Sequence, residues 1–281
     1  MLKVSRSSYY AYLTPSSSTV HRRAKQAELA QDVKSIFEGN YRRYGSRRIH
    51  EEMLGRGKVI GRDRVRMLMR NQGLRAIQPR SFVPKTTRAA PHLARSPNLL
   101  RERVLAKEPL YKGIREVLVG DITYWPRSTT GWFYLAIWMD LCSRRILGWS
   151  VDTHMRAELV CNAFEKASVW LRGAKNCIIH SDGGGQYKSH EFRAMIYKHA
   201  SLNWKQSMTR KDNHYDNAFI ESLFSRIKAE LMDLYPVFRT KEEAQMRLFE
   251  YIEGYYNPKR RHSSLGYLSP IDYEKSLETS A

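Results

Sequence analysis

Three short runs of aromatic and β-branched residues lie close together in the middle of this 281-residue chain. They span Val117–Trp125, Trp132–Leu141 and Arg145–Val151, and residues typical of turns separate them. Runs of this length and composition predict β-strands, and the short turns predict that neighbouring strands pair antiparallel. Any fold for this chain must therefore contain a three-stranded antiparallel meander.

Helical and strand-like segments alternate after this meander. Apolar residues recur at helical spacing in some segments, and short apolar runs between them are typical of buried strands. Three antiparallel strands followed by this alternation indicate an α/β fold, with a mixed five-stranded sheet and helices on its faces. The predicted elements are helices at 159–171 and 190–199, strands at 177–180 and 202–208, and helices from Asp216 and over 241–256.

The first 75 residues are predicted to form a small all-α domain of three helices. The second and third helices flank a glycine-containing turn at 55–57, which is the arrangement of a helix-turn-helix. Four arginines lie on the outer face of the third helix and make it the candidate recognition helix: Arg62, Arg64, Arg66 and Arg70. The alternative is an ordinary three-helix bundle with a solvated basic face. Ser46 is expected to cap the second helix. The expected core is Leu29, Val33, Ile36 and Phe37 in the first helix, Ile49, Met53 and Leu54 in the second, and Val65, Leu68 and Met69 in the third.

The charge of the chain is concentrated in its first part. The formal net charge is +20, and residues 1–116 carry 26 basic and 9 acidic side chains, against 22 and 19 in residues 117–281. A field of this sign favours a polyanionic partner such as DNA. The sequence therefore predicts a helix-turn-helix DNA-binding region at 1–75, a basic proline-containing linker at 76–116 and an α/β unit with a C-terminal helix at 117–281.

Other sequence features exclude several classes of protein. The longest unbroken apolar run, Trp132–Met139, is too short to span a membrane, and the first residues lack the apolar stretch of a signal peptide. The three cysteines, Cys142, Cys161 and Cys177, show no metal-ligand spacing. We expect them to be reduced, buried thiols in a cytoplasmic protein with no membrane partner.

Three acidic residues are the candidate catalytic groups. Asp121 lies within VLVGDITYW, where burial of a carboxylate demands a cationic partner. Asp182 follows a strand and precedes three glycines, at the kind of strand end where α/β sheets bind ligands. Glu221 lies on a helix that Asp216 and Asn217 are expected to cap. Three such acids can converge on two Mg²⁺ ions that serve displacement at phosphorus, although the spacing alone is equally compatible with solvated acids.

Four motifs, in order along the chain, carry a resemblance to a known family: GDITYW with GWFYLAIWMDLCSRRILGW, then HSDGGGQYKS, SMTRKDNHYDNAFIESLF and YYNPKRRHSSLGYLSP. They resemble the integrase-type catalytic core of two-reading-frame insertion-sequence transposases of bacteria, and YGSRRIHEEM resembles the internal helix-turn-helix of that group. The resemblance runs from Tyr44 to Tyr273. It implies a ribonuclease-H-like fold and a D-D-E triad of Asp121, Asp182 and Glu221 that nicks DNA and joins the new 3′-hydroxyl to another strand.

The resemblance also implies cofactors and partners. It implies two Mg²⁺ ions, for which Mn²⁺ can substitute, and it implies DNA ends, target DNA and further copies of the chain as partners. An upstream-frame protein is expected as a fusion or a separate partner, and the nucleoid is the expected location within the cytoplasm. Two departures from the family pattern are Asp212, where the family has glycine, and a longer interval between Asp182 and Glu221, expected to be absorbed at 198–204.

One further residue on the Glu221 helix is expected to contact DNA. Lys228 returns to nearly the same face two turns after Glu221, and the resembling family carries lysines there. Glu230 is expected on the opposite side, where its removal would leave DNA affinity unchanged or slightly improved. The sequence leaves open whether Arg260, Arg261 and His262 contact DNA or decorate a helix end.

Two alternative functions remain at this point. A nuclease of the ribonuclease H type would cut DNA without joining it, and would usually carry another acid in the first helix of the core, where Glu158 and Glu165 are the candidates. A DNA-binding regulator derived from a transposase would lack catalysis, but the intact Asp121, Asp182 and Glu221 weigh against it.

Overall fold

The computed structural model describes residues 5, 9, 10, 13, 16–78, 94–127, 129–210 and 217–279. The chain divides into two compact units, Met1–Gln78 and Pro79–Ala281. The boundary lies inside the segment predicted as a linker, 76–116. Within the described ranges, no helix has both the length and the apolar character needed to cross a membrane.

The first unit contains the three predicted helices, α1 (Ser17–Gly39), α2 (Ser46–Gly55) and α3 (Arg62–Asn71). Nine of the ten expected core residues are buried, whereas Leu54 is 43% exposed. The predicted cap is also wrong, because Gly45 precedes α2 without a side-chain hydrogen bond and Ser46 is already helical. The four arginines of α3, Arg62, Arg64, Arg66 and Arg70, all have exposed side chains, whereas Val65, Leu68 and Met69 of the same helix are buried.

The second unit is built on a five-stranded sheet of order β3–β2–β1–β4–β5. The meander strands β1, β2 and β3 pair antiparallel, whereas β4 and β5 run parallel to β1. This arrangement confirms the predicted mixed sheet, and β1 is its central strand. The strands are β1 (Val117–Pro126), β2 (Trp132–Asp140), β3 (Ile146–Asp152), β4 (Ile178–Ser181) and β5 (Lys205–Met208).

Helices cover this sheet, as predicted, and three of them were not predicted. The unpredicted helices are α4, within the expected linker, the single turn α6, and α10, at the end of the described chain. A π-helical turn, Ile252–Tyr256, continues α9. The helices are α4 (Leu99–Leu105), α5 (Ala157–Val169), α6 (Gly185–Lys188), α7 (His190–Tyr197), α8 (Ala218–Met232), α9 (Lys241–Tyr251) and α10 (Pro270–Thr279).

Aromatic packing on one face of the sheet fixes the central strands. The Trp138 ring stacks on Phe192 with centroids 5.5 Å apart and meets Phe164 edge-on. Gly120 of β1 lies opposite Trp138 in the antiparallel register, and a Cβ there would lie 2.5 Å from the indole. Glycine is therefore required immediately before Asp121. Trp132, the first residue of β2, is by contrast 42% exposed.

The second half of the predicted linker is part of the α/β unit. Ser96 Oγ donates to Gln206 Oε1 at 2.8 Å, and the Leu99 amide donates to Ser207 Oγ at 3.0 Å. Leu100 of α4 is buried. The seven residues of α4 are too few to show a helical periodicity, so this helix was not predicted. The contacts of the segment cover the open edge of β5, which would otherwise expose its unpaired backbone groups.

A C-terminal segment anchors α8 through a buried ion pair. Arg260 donates three hydrogen bonds to Glu230 on α8, the shortest being 2.6 Å, and both side chains are 3% exposed. Tyr251 donates a further hydrogen bond of 2.8 Å to the same carboxylate. Glu230 is therefore not a solvated side chain of α8, and its removal would disturb the packing of that helix. Arg260 is a structural residue, because its guanidinium is held inside the protein rather than offered to DNA.

Breaking this ion pair should destabilise the fold. Arg260→Met leaves a buried carboxylate without its cation, and we expect the free energy of unfolding to fall by about 3–5 kcal/mol. The double variant Glu230→Gln/Arg260→Met should recover part of this loss, because neither charge then remains buried and unpaired. Urea denaturation monitored by tryptophan fluorescence measures both.

The matched control is Lys259→Met at the neighbouring exposed position, which should change the free energy of unfolding by less than about 0.5 kcal/mol. Strictly additive losses in the double variant would contradict the coupling.

Candidate active site

Two of the three candidate acids lie side by side on adjacent parallel strands. The register pairs Gly120 of β1 with Ser181 of β4, so Asp121 and Asp182 are the next residues along each strand. Neighbouring strands in a sheet lie about 4.8 Å apart, which fixes the two backbones close together. Both side chains are half-buried. The register of β1 and β4 therefore places Asp121, within β1, close to Asp182, the first residue after β4.

Each of these carboxylates accepts one short backbone hydrogen bond. Asp121 Oδ1 accepts from the Ile122 amide at 2.7 Å, and Asp182 Oδ1 accepts from the Gly184 amide at 2.9 Å. A Cβ at Gly184 would lie 2.9 Å from Asp182 Oδ1. The glycine after the strand end therefore lets the loop backbone approach and orient the carboxylate.

The electrostatic environment of Asp121 is unfavourable to its charge. Burial raises the pKa of Asp121 well above its ordinary value, and the nearby Asp182 carboxylate raises it further. The Ile122 amide acts in the opposite direction, and the charges of Glu221 and Lys228 make smaller contributions of opposite sign. Two carboxylates that share a partly dehydrated site repel each other, so such a site favours the binding of a cation.

Glu221 is close enough to influence Asp121 but is less enclosed. It lies in the first turn of α8, which packs against β1, and its side chain is exposed. The prediction that Asn217 caps this helix is wrong, because its side chain makes no capping hydrogen bond. Asp216, the other predicted cap, and Asp212 both lie outside the described residues. In the described part of the chain, no three His, Cys, Asp or Glu side chains are grouped closely enough to hold a metal ion. Asp121 and Asp182 are thus a pair, with Glu221 near it.

Lys228 is the nearby cation that the burial of Asp121 demanded. Its ammonium lies 4.3 Å from the centroid of the Tyr124 ring, and its charge lowers the pKa of Asp121. The side chain is half-buried, and burial lowers the pKa of Lys228 itself. Lys228 is therefore partly enclosed, packed on an aromatic ring of the same strand as Asp121.

Two further residues, Tyr187 and Arg95, lie in this region and were not predicted from the sequence. The Tyr187 ring is buried, and burial together with Asp121 and Asp182 raises its pKa well above the ordinary value. Its hydroxyl has no hydrogen-bond partner among the described residues. Arg95, from the predicted linker, places its guanidinium against the Cα of Gly183. Tyr187 could have been found within HSDGGGQYKS, whereas the sequence carries no signal that brings Arg95 here.

Other conspicuous residues are structural. His180 is fully buried, with Nδ1 2.8 Å from Ser207 Oγ. Asp140 accepts hydrogen bonds from the amides of Arg115 and Ser143 at 2.6 and 2.7 Å. It holds the turn between β2 and β3. The interval between α7 and β5 contains a short helical turn, Ala200–Leu202, in the region where extra residues were expected.

Comparison with known proteins identifies families for both units. The family described as HTH-like domain matches residues 23–82, and two families described as Integrase core domain match residues 114–214 and 202–270. "Transposase InsF for insertion sequence IS3A" of Escherichia coli (strain K12) is 36% identical over 274 residues, which cover 98% of this chain and 91% of that protein. "Transposase for insertion sequence element IS904" of Lactococcus lactis subsp. lactis (strain IL1403) is 36% identical over 262 residues, 91% of this chain and 99% of that protein.

Solved structures give more distant likenesses. The HTLV-2 integrase catalytic core domain in complex with magnesium is 17% identical, with a TM-score of 0.41, covering 57% of this chain and 97% of that one. The catalytic domain of Mos1 mariner transposase is 13% identical, with a TM-score of 0.44, covering 64% of this chain and 82% of that one.

The mixed sheet and the integrase-core matches agree on a ribonuclease-H-like fold, and the HTH-like match falls on the small all-α unit with its arginine-bearing helix. Relatives at 36% identity extend over nearly the whole chain. The chain therefore belongs to the family of bacterial insertion-sequence transposases that includes InsF, DNA-binding enzymes that act as polynucleotidyl transferases.

Proposed function

We propose that the chain catalyses metal-dependent nicking and strand transfer at the ends of an insertion element, with Asp121, Asp182 and Glu221 as its catalytic carboxylates. The observation that carries this proposal is the pair formed by Asp121 and Asp182 at adjacent positions of parallel strands. Two repelling carboxylates in a partly dehydrated site have little structural value, but they suit the binding of cations and phosphates.

The donor set fits Mg²⁺, with Mn²⁺ as a substitute. Mg²⁺ prefers oxygen ligands and is commonly held by one or two carboxylates together with substrate phosphates. Asp121 and Asp182 would supply those carboxylates, and Glu221, exposed on α8, would complete the site for a second ion. Bound divalent ions would activate the attacking oxygen and stabilise the departing one in displacement at phosphorus.

The reaction proceeds as two exchanges at phosphorus. In the first, a water oxygen bonds to the scissile phosphorus and the bond to the 3′-oxygen breaks, which leaves a free 3′-hydroxyl and a 5′-phosphate. In the second, that 3′-hydroxyl bonds to a phosphorus of the target strand, whose own 3′-oxygen leaves. The sheet fixes the backbones at Asp121 and Asp182. These residues can therefore orient the reactants without any rearrangement of the strands.

DNA recognition is assigned to the first unit. Arg62, Arg64, Arg66 and Arg70 present exposed guanidinium groups on α3. The second helix of a helix-turn-helix enters the major groove, and arginine binds both guanine edges and phosphates. Lys228 would contact a phosphate near the active site while its stem packs on Tyr124.

The active form is proposed to be an assembly on DNA. Joining an element end to a target requires both DNA partners at one site, which several copies of the chain can bring together. An upstream-frame protein, fused or separate, would supply additional end binding. The substrate then places the protein on the bacterial nucleoid, in the cytoplasm.

A single assay separates this function from its two alternatives. Labelled duplexes with the ends of the DNA element that encodes the chain are incubated with the protein and Mg²⁺. Joined products support the transposase, nicks without joining indicate a nuclease, and binding without either indicates a regulator.

The carboxylates can be tested one at a time. Asp121→Asn, Asp182→Asn and Glu221→Gln should each lower nicking and joining by about 100-fold to 1000-fold or more, while end binding stays nearly unchanged.

Mg²⁺ at about 100 times its Kd should stabilise the wild type by about 2.7 kcal/mol in thermal unfolding, and should leave Asp121→Asn/Asp182→Asn unaffected. In metal-free buffer, Asp121→Asn should be more stable than the wild type, because the repulsion by Asp182 is gone. Retained cleavage in any single variant would remove that residue from the triad.

The arginines of α3 should control end binding. Arg62→Ala/Arg66→Ala is expected to lower the affinity for element-end DNA and to make its salt dependence shallower by about one to two units on a log–log plot. The control is Lys34→Ala on α1, an exposed cation outside the recognition helix. Equal losses in the two variants would show that α3 acts only through general charge.

Lys228 should affect joining more than another cation of its own helix. Lys228→Ala is expected to weaken strand joining and to reduce the salt slope of end binding by about one unit. Arg226→Ala is the matched control, because Arg226 is exposed on a different face of α8. Glu230 cannot serve as that control, since its carboxylate is buried. Indistinguishable behaviour of the Lys228 and Arg226 variants would overturn the assigned face.

A further inference from the structure

The hydroxyl of Tyr187 is a buried polar group that the packing of the fold does not explain. Tyr187 lies on α6, just after the glycine loop that follows Asp182, and its side chain is 1% exposed. The hydroxyl has no hydrogen-bond partner among the described residues. Buried tyrosine hydroxyls usually find a partner, because an unpaired donor gives up its hydration without compensation.

The Tyr187 ring is held firmly in place. It meets the Trp138 indole and the Phe192 ring edge-on, each with 5.7 Å between centroids. The backbone carbonyl of Tyr187 accepts a hydrogen bond of 2.6 Å from the Gln206 side chain on β5. Phenylalanine would make the same ring contacts, so packing accounts for the ring but not for the hydroxyl. Because the ring is fixed, an acceptor has to come to the hydroxyl.

The acidic pair acts electrostatically on this hydroxyl. The Trp138 indole that contacts the Tyr187 ring also fills the space beside Gly120, the residue before Asp121. Burial raises the pKa of Tyr187, and the charges of Asp121 and Asp182 raise it further. A phenol with a raised pKa stays protonated at neutral pH, so Tyr187 is available as a hydrogen-bond donor to an anion.

Asp121 is the acceptor that suits this donor. Its Oδ1 accepts one hydrogen bond, from the Ile122 amide at 2.7 Å, and a carboxylate can accept several. Repulsion by Asp182 acts on the Asp121 carboxylate. A cation shared by the two acids removes that repulsion and lets the carboxylate turn about its Cβ–Cγ bond towards a donor.

We propose that Tyr187 is a positioning residue of the metal site, whose hydroxyl donates a hydrogen bond to the Asp121 carboxylate in the cation-bound protein. This inference rests on the proposed function, because it deepens the metal site assigned there. Groups that hydrogen-bond to metal ligands fix the orientation of the ligand and strengthen binding of the ion. The cost of burying the hydroxyl is then offset by affinity for the cation rather than by the stability of the fold.

The test is Tyr187→Phe, which removes the hydroxyl and keeps the ring. Mn²⁺ binding to the full-length protein is measured without DNA, from the electron paramagnetic resonance signal of the free ion, and Asp121→Asn/Asp182→Asn defines binding elsewhere. The Kd for Mn²⁺ at the acidic pair should rise about tenfold or more. In metal-free buffer, the urea midpoint of unfolding should stay the same or rise slightly, because the variant loses no hydrogen bond and no longer buries an unpaired donor.

Tyr124→Phe is the matched control. Tyr124 lies on the same strand as Asp121, and in the described part of the chain its buried hydroxyl also lacks a hydrogen-bond partner. Its pKa is raised by burial, without a contribution from either carboxylate. Tyr124→Phe should therefore leave the Kd for Mn²⁺ unchanged.

Nicking gives a second measurement of the same effect. Because Tyr187→Phe weakens binding of the ion, its nicking rate should fall at low Mn²⁺ concentration and return to the wild-type rate at high concentration. A nicking defect that persists at saturating Mn²⁺ would contradict the positioning role.

The outcomes distinguish this inference from the proposed function. A raised Kd in Tyr187→Phe alone, with undiminished metal-free stability, supports it. An unchanged Kd, an equal rise in Tyr124→Phe, or a lower metal-free stability of Tyr187→Phe would overturn it, even though nicking and joining by the wild type would leave the proposed function intact. A wild type that neither binds Mn²⁺ at the acidic pair nor nicks DNA would overturn both.

Discussion

Repulsion between two carboxylates on neighbouring parallel strands is the constraint around which this enzyme is built. Asp121 and Asp182 follow a register pair of β1 and β4, so the sheet that folds the protein also forces their charges together. The aromatic core beneath resists any change in that register, since Gly120 admits the Trp138 ring and no larger residue would fit. The stability of the sheet thereby sustains an arrangement that is electrostatically unfavourable until a cation binds.

The position of Glu221 is fixed in a different way, because this residue lies on a helix rather than beside the sheet. The helix α8 is fixed at its far end by the buried contact of Glu230 with Arg260 and Tyr251. Asn257, three residues before Arg260, binds both backbone groups of Ile146 on β3 at 3.0 Å. The C-terminal motif therefore connects the sheet to the helix that carries the third acid, which explains its presence far from the reacting groups.

Positive charge is distributed to complement these acids. Lys228 lies beside Asp121 on one side, while Arg95, Lys188 and Arg193 surround the loop after Asp182 on the other. The exposed arginines of α3 belong to the separate N-terminal unit. In a low-dielectric site, opposite charges placed in this way interact more strongly than they would in water.

The sequence alone determined the element types and the candidate acids, because strong local periodicity and specific motifs report on them directly. It predicted the succession of strands and helices along the chain, the buried faces of α1 and α3, and the three candidate acids Asp121, Asp182 and Glu221. Only the tertiary structure decided which residues meet across long intervals: the charges of Arg260 and Glu230, those of Lys228 and Asp121, and the Arg95 guanidinium with the backbone of Gly183. Side chains that pair through space leave no periodic trace in the chain, so the linker that covers β5 and the buried role of Glu230 could not be predicted from it.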